Sequence, residues 1–169
     1  MIYTILIFTL HTLITELSMS PEFRLVPTMR VEDIHIPAQM SAHVRPLAQS
    51  RIAAGFPSPA DDYMEGTLDL NLLLVKRPAA TFFVRVSGDS MSGAGIESGD
   101  LLVVDRSRQP GEASVVIAVL YGELTVKSLC RRDGRLWLVA GNDAYPPIEV
   151  GEEADFTIWG VVTAVIHEF

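Results

Sequence analysis

The sequence is short of cysteine and histidine, and each shortage removes a class of site. Cys130 is the only cysteine among 169 residues, so no disulfide forms within the chain, and a lone thiol suits a reducing cytoplasm. Of four histidines only His167 lies in the second half, which leaves a Ser-His-Asp triad or a metal site poorly supplied. Walker, HExxH, CxxC and SxxK motifs are absent. We therefore expect neither a metal nor a cofactor.

Positive charge is also scarce. Lys and Arg number 13 against 21 Asp and Glu, a formal net charge of -8. Residues 1–54 are balanced, so the whole excess belongs to residues 55–169. Domains that grip a nucleic-acid backbone by themselves carry the opposite sign. No direct sequence-specific DNA binding is therefore expected.

The longest apolar run lies at the N-terminus, from Met1 to Ile14. It is shorter than the roughly 20 residues that a spanning helix needs, and no basic residue precedes it as in a secretory signal. We therefore expect no membrane role. Residues 1–28 are interpreted as a non-native extension, with Met19 or Met29 as the working start.

The order of turn signals and β-rich runs predicts the fold class. Residues 27–54 contain three prolines and no sustained period, which indicates an extended or partly helical arm. A short helix with a capping Asp or Asn is expected within Asp69–Val75. Predicted strands follow, separated by tight turns: Thr81–Val86, Leu101–Asp105, Val115–Leu120, Leu124–Leu129, Arg135–Val139 and Thr157–Ile166. The pattern is typical of a mainly β, compact barrel or sandwich with one short helix, preceded by an extended N-terminal arm.

Two residues stand out as candidates for chemistry. Ser90 follows a predicted strand in a glycine-containing turn, which can expose a hydroxyl beside backbone N–H groups. Lys127 is one of only two lysines and lies among apolar neighbours, where desolvation lowers the pKa of an amine and frees it to act as a base. Thr125 is on the same face of that strand and is interpreted as a group that orients the amine.

The spacing of three segments gives these two residues a context. Val86-Ser-Gly-Asp-Ser-Met91, Gly99-Asp-Leu-Leu-Val-Val-Asp105 and Glu123-Leu-Thr-Val-Lys127 together resemble the self-cleaving Ser–Lys peptidase domain of the LexA/UmuD family. The resemblance covers residues 52–169 and predicts a compact LexA/UmuD-like β-domain. It is closer to UmuD than to LexA in four further segments: Gly55–Ala60, Asp69–Asn71, Ala144–Ile148 and Gly160–Val162.

The resemblance implies roles for particular residues. Ser90 would be the nucleophile and Lys127 the general base of a serine endopeptidase, with self-cleavage between Ala54 and Gly55. Residues 1–54 would then be an arm that is removed, and residues 55–169 the peptidase and dimerisation domain.

The resemblance also implies partners. A UmuD-like protein cuts itself when a RecA–single-stranded-DNA filament stimulates it. The cut homodimer then acts with a UmuC-type DNA polymerase in translesion synthesis. We therefore expect a cytoplasmic protein of SOS mutagenesis.

Three alternatives remain at this level. A LexA-like or phage-repressor-like regulator needs a basic helix-turn-helix domain before the cleavage site, whereas residues 1–54 are neutral and interrupted by proline. A signal-peptidase-like enzyme carries proline soon after its Ser-Met, where this chain has Ser92-Gly-Ala94. An interaction module with an idle peptidase site is the third.

Overall fold

The computed structural model describes residues 29–37, 44–47 and 66–169. The predicted cleavage bond between Ala54 and Gly55, and the predicted extension over residues 1–28, lie outside these ranges. In the described ranges, no helix combines the length and the apolar character that crossing a bilayer requires.

Strands dominate the described residues. They are β1 (Arg30–His35), β2 (Val44–Leu47), β3 (Gly66–Asp69), β4 (Thr81–Ser87), β5 (Leu101–Asp105), β6 (Val115–Leu120), β7 (Glu123–Arg132), β8 (Arg135–Val139), β9 (Ile148–Val150) and β10 (Phe156–Ile166). The single described α-helix, α1, spans Leu70–Leu74. All six predicted strands are confirmed: β5, β6 and β8 have the predicted bounds, and β4, β7 and β10 are slightly longer. The prediction of a mainly β fold with one short helix is likewise confirmed.

Four strands were not predicted, namely β1, β2, β3 and β9. Each is short, and β1 has five exposed residues among its six, so it lacks the apolar alternation that marks a half-buried strand. Pro46 lies within β2, and proline normally argues against a strand. These segments become strands because neighbouring edges offer them hydrogen bonds, which their own sequences do not reveal.

Six strands close into a ring. The sheet runs β1-β4-β5-β10-β6-β7, and β1 also meets β7 where Arg30 lies opposite Thr125. β8 and β9 extend this sheet beyond β7, while β2 and β3 form a separate two-stranded sheet. β1, which belongs to the predicted arm, is therefore the strand that joins β4 to β7.

The helix α1 forms where the sequence predicts it. Asp69 is its N-cap, and one carboxylate oxygen accepts hydrogen bonds from the N–H groups of Asn71 at 2.9 Å and Leu72 at 3.4 Å. A side-chain acceptor at this position satisfies donors that the first turn leaves free. The helix ends at the C-cap Val75, ahead of a 3-10 turn over Pro78–Ala80.

Two clusters of buried apolar side chains form the core. The first joins Met29 to residues of β4, β5, β6, β7 and the segment 91–96, and the second joins residues of β6, β7, β8 and β10. β7 contributes to both, through Val126 in the first cluster and Leu129 in the second. The strand that carries Lys127 is therefore buried on both faces.

Position 160 in β10 requires a glycine. A Cβ there would lie 2.5 Å from Cγ1 of Val104, beside an irregularity in the pairing of β10 with β6. The substitution Gly160→Ala should lower the free energy of unfolding, measured by urea denaturation, by about 1–3 kcal/mol through overpacking. Gly151→Ala is the matched control, because a Cβ at residue 151 meets no atom within 4 Å. Equal losses from the two substitutions would contradict this reading of the packing.

Candidate active site

Ser90 lies in a tight turn that follows β4. Gly88 begins the turn with a φ of 102°, a conformation that glycine adopts without strain. Two backbone hydrogen bonds fasten the ends of the segment: the N–H of Gly99 donates to the Val86 carbonyl at 2.7 Å, and the N–H of Val86 donates to the Asp100 carbonyl at 3.1 Å. The turn presents Ser90 to the interior, where it is 0% exposed.

Lys127 of β7 contacts this serine. Its Nζ lies 2.8 Å from Ser90 Oγ and donates a second hydrogen bond to the Val126 carbonyl at 3.1 Å. The residue is 1% exposed, and no ion pair of the described residues includes it. Burial lowers the pKa of Lys127 from 10.5 to about 8, because a charged amine loses its hydration on burial. At pH 8 about half of the amine is therefore unprotonated and able to accept the proton of the hydroxyl.

The main chain of Met29 lies directly on the Ser–Lys pair. Its N–H donates to Ser90 Oγ at 2.9 Å, and its carbonyl accepts a hydrogen bond from Thr125 Oγ1 at 3.4 Å. The Met29 side chain is 0% exposed and belongs to the first apolar cluster. The serine is thus covered by the start of β1.

The hydroxyl of Thr125 has a different partner from the one that the sequence predicts. The alternation of β7 indicated a hydroxyl that orients the Lys127 amine, but Thr125 Oγ1 donates to the Met29 carbonyl instead. The cause is β1, which places Arg30 opposite Thr125 and brings a carbonyl acceptor to this hydroxyl. The amine is oriented by Ser90 and by a backbone carbonyl.

A loop of residues 141–145 packs on the outside of the Ser90 turn. The hydroxyl of Tyr145 donates to the carboxylate of Asp89, which raises the pKa of Tyr145, and Asn142 Nδ2 donates to the Asp89 carbonyl at 3.2 Å. The contact needs two glycines, since a Cβ on Gly93 would lie 1.9 Å from the Gly141 carbonyl oxygen and one on Gly141 would lie 2.8 Å from a backbone nitrogen. Asp89, the residue before Ser90, is therefore held through both its side chain and its main chain.

The same loop connects the two halves of the site. It follows β8, whose Val139 pairs with Ser128 of β7, the neighbour of Lys127. The chain thus runs from the lysine strand through β8 and into contact with Asp89, the residue before Ser90. This connection fixes the position of the serine turn relative to the lysine strand.

The structure adds residues to the site that the sequence analysis did not single out. Tyr145 stands in the segment Ala144–Ile148 that carries the family resemblance, and Asn142 lies just before it, but nothing in that pattern names Asp89 as their partner. Met29 is one apolar residue in a stretch without period, and no local signal distinguishes it. Contacts between residues more than fifty positions apart decide all three roles.

β2 and β3 flank the predicted cleavage bond in the sequence. Ala54 and Gly55 lie outside the described residues, within the stretch 48–65 that stands between β2 and β3 in the sequence. β2 and β3 pair antiparallel, with Leu47 opposite Gly66 at the open end. The predicted bond therefore stands, in the sequence, between two strands that pair with each other.

Comparison with known proteins gives the site a family context. A family model described as Peptidase S24-like matches residues 46–163. This range includes Ser90, Lys127 and the 141–145 loop.

Individual relatives agree with the family match. Protein ImpA of Salmonella typhimurium is 50% identical over 136 residues, which cover 79% of this chain and 92% of ImpA. Protein MucA of Escherichia coli is 40% identical over 141 residues, covering 83% of this chain and 96% of MucA. A LexA repressor of Ectopseudomonas mendocina is 38% identical over 118 residues, covering 69% of this chain but 57% of the repressor.

The buried amine should make stability depend on pH. The pKa of Lys127 is about 8 in the folded chain and 10.5 in the unfolded one, so between these values the unfolded chain binds more protons and stability rises with pH. In a Ser90→Ala background, Lys127→Met should raise the free energy of unfolding at pH 7 by about 3 kcal/mol, since the pKa is about 8 instead of 10.5 and each pKa unit corresponds to about 1.4 kcal/mol. Urea denaturation at pH 7 and pH 10 should show that this advantage shrinks at the higher pH. An advantage that stays constant, or a variant that is less stable at pH 7, would contradict the buried, uncompensated amine.

Proposed function

The chain belongs to the S24-like peptidase family, and on that premise we propose that it cuts its own N-terminal arm with Ser90 and Lys127. Its similarity to ImpA and MucA makes it a UmuD-like protein of the LexA/UmuD group, that is, a protein of SOS mutagenesis. The bond cut is Ala54–Gly55. The arm removed is residues 1–54, and the product that remains is residues 55–169.

The contact between Ser90 Oγ and Lys127 Nζ carries the proposal. A buried lysine that served stability alone would have an acidic partner, because an uncompensated buried charge lowers the stability of the fold. Here the partners of the amine are a serine hydroxyl and a backbone carbonyl. A neutral amine beside a hydroxyl is what general-base activation of a serine requires.

Each step of the reaction follows from this pair. Ser90 Oγ attacks the carbonyl carbon of Ala54 while the neutral Lys127 amine takes the hydroxyl proton. Backbone N–H groups of the Ser90 turn stabilise the oxyanion. The protonated amine then gives the proton to the nitrogen of Gly55, which leaves as a new N-terminus. Water, deprotonated by the same amine, hydrolyses the ester on Ala54 and releases the arm.

The partners follow from the family. A RecA–single-stranded-DNA filament stimulates cleavage by favouring the arm position that admits Ala54 to Ser90, a shift between existing conformations. The product, residues 55–169, acts as a homodimer with a UmuC-type DNA polymerase in translesion synthesis in the cytoplasm. This part of the chain carries the whole formal charge of -8, which suits contact with protein partners and leaves DNA to the polymerase.

The competing functions have less support. The LexA repressor matches this chain over 57% of its own length, and residues 1–54 carry no excess of positive charge with which to bind an operator. An idle interaction module would have no need of a deprotonatable lysine against a buried serine. A signal-peptidase-like enzyme carries proline soon after its Ser-Met, where this chain has Ser92-Gly-Ala94.

Self-cleavage can be measured directly. Incubation with RecA, an ATP analogue and single-stranded DNA should yield two fragments, the larger beginning at Gly55 by mass spectrometry. Without RecA, spontaneous cleavage should accelerate as the pH rises through about 8, the pKa of Lys127, since only the unprotonated amine acts as a base. Lys127→Ala should lower the rate at least ~10²-fold, the effect expected for loss of a general base.

The other lysine of the chain supplies the matched control. Lys76 is exposed, and Lys76→Ala should cleave like the wild type. A different new N-terminus would contradict the assigned bond. A flat pH profile, or normal cleavage by Lys127→Arg, would contradict the assigned base.

The role after cleavage separates the peptidase from the final function. In a host without its own UmuD, full-length Ser90→Ala protein should fail to support damage-induced mutagenesis, because it cannot release the arm. Residues 55–169 with the same Ser90→Ala change should restore mutagenesis, since one hydroxyl in a turn contributes little to the strands and the dimer surface. If this pre-cut protein folds and dimerises but stays inactive, cleavage is not the activating step.

A further inference from the structure

We propose that β1 and the cleavage segment around Ala54 compete for one strand-binding slot between β4 and β7, so that β1 keeps the chain uncut until it is displaced. The inference rests on the proposed self-cleavage and names how that cleavage is restrained. The ligand of the slot is an extended strand of this same chain, and two different segments of the arm supply it.

The position of Met29 is the first observation. Its N–H lies 2.9 Å from Ser90 Oγ, and its carbonyl accepts a hydrogen bond from Thr125 across the slot. A scissile peptide must bring its carbonyl carbon to the same Oγ atom within about 3–3.5 Å. Two backbones cannot occupy that place together, so Met29 must leave before Ala54 can enter.

Burial of the catalytic pair is the second observation. Ser90 is 0% exposed and Lys127 is 1% exposed, with β1 present as the strand that closes the ring. No peptide reaches Oγ from solvent while that strand is in place. Cleavage therefore depends on the fraction of time for which the slot is free of β1, because a state that is rarely populated lowers the apparent rate in proportion.

The composition of β1 makes it suited to exchange. Its pairing with β4 shifts register between Val31 and Asp33, and five of its six residues are exposed. Met29, just before the strand, is the fully buried anchor. The strand is thus held by backbone hydrogen bonds, the buried Met29 side chain and the half-buried Val31, which both pack in the first apolar cluster, and it can detach without dismantling the second.

The covalent arrangement allows the exchange. β1 ends at His35 and the predicted cleavage bond follows Ala54, so 19 residues separate the two competitors along the chain. β2 and β3 pair between Val44 and Asp69, and this pair joins neither β1 nor the ring. The cleavage segment can therefore change places with β1 while the β2–β3 pair stays formed.

A reversible lock tests the competition. Asp33 and Arg85 are direct cross-strand partners in the pairing of β1 with β4, at a separation that suits a disulfide. The full chain carrying Asp33→Cys, Arg85→Cys and Cys130→Ser should lose at least tenfold in cleavage rate when oxidised, with or without RecA, because the slot stays filled. Dithiothreitol should restore the rate of the unlocked protein, which shows that the variant folds.

A release variant makes the opposite change. Met29→Ser removes the buried anchor and should raise spontaneous cleavage about tenfold or more, the effect of losing one buried apolar side chain. Its rate with saturating RecA should equal that of the wild type, since stimulation already frees the slot. Ile36→Ser is the matched control, because Ile36 is 72% exposed, and its spontaneous rate should not change.

The outcomes distinguish this inference from the proposed function. Normal cleavage at Ala54–Gly55 in the oxidised lock would overturn the competition and leave the peptidase intact. A cut at Thr28–Met29 would also overturn it, since β1 would then be a substrate. Absence of cleavage in every protein, reduced and with RecA, would refute the peptidase itself and the competition with it.

Discussion

The surrounding strands are arranged around one contact, in which the Lys127 amine is buried against the Ser90 hydroxyl. The amine has no counter-charge among the described residues. Such an amine stays useful only if water is kept away, because hydration would return its pKa to the usual range. β7 meets this condition by lying between β6 and β8 with apolar clusters on both faces, and Met29 covers the remaining side. The uncompensated amine lowers the stability of the fold, and chemistry at the Ser–Lys pair is the reason that best accounts for this loss.

The site also requires Ser90 and Lys127 to come together, although they stand 37 positions apart in the chain. β4 carries the serine turn and β7 carries the lysine, and neither pairs with the other. Two connections bridge the gap: β1 on one side, through Met29, and the 141–145 loop on the other, through Asp89. The 141–145 loop follows Gly55 and β1 lies in the predicted arm, so the site takes its geometry from the loop and its covering from the segment that begins at Met29.

Sequence patterns predicted those features of the structure that depend on local sequence alone. The six predicted strands, the Asp69 cap and the isolation of Lys127 among apolar residues all follow from periodicity, propensity and side-chain type. The partner of Thr125, the covering role of Met29 and the attachment of Tyr145 to Asp89 do not, since each depends on which distant segment arrives nearby. β1 is the clearest case, because a mostly exposed, charged strand takes its structure from the edges that it joins and not from its own residues.

The placement of β2 and β3 on either side of the predicted bond has a consequence for timing. Cutting Ala54–Gly55 would break the covalent link, yet β2 would still pair with β3 and β1 could return to β4, so the severed arm would remain bound. The cut changes the molecularity of these contacts. Before the cut they form within one chain at a high effective concentration, and after it they hold together a two-body complex that dilution can dissociate. Hydrolysis and departure of the arm are thus separate events. Two short strand pairings and the apolar contacts of the Met29 segment would set the lifetime of the nicked complex. That lifetime would determine how soon after the cut the strand edges under the arm become free.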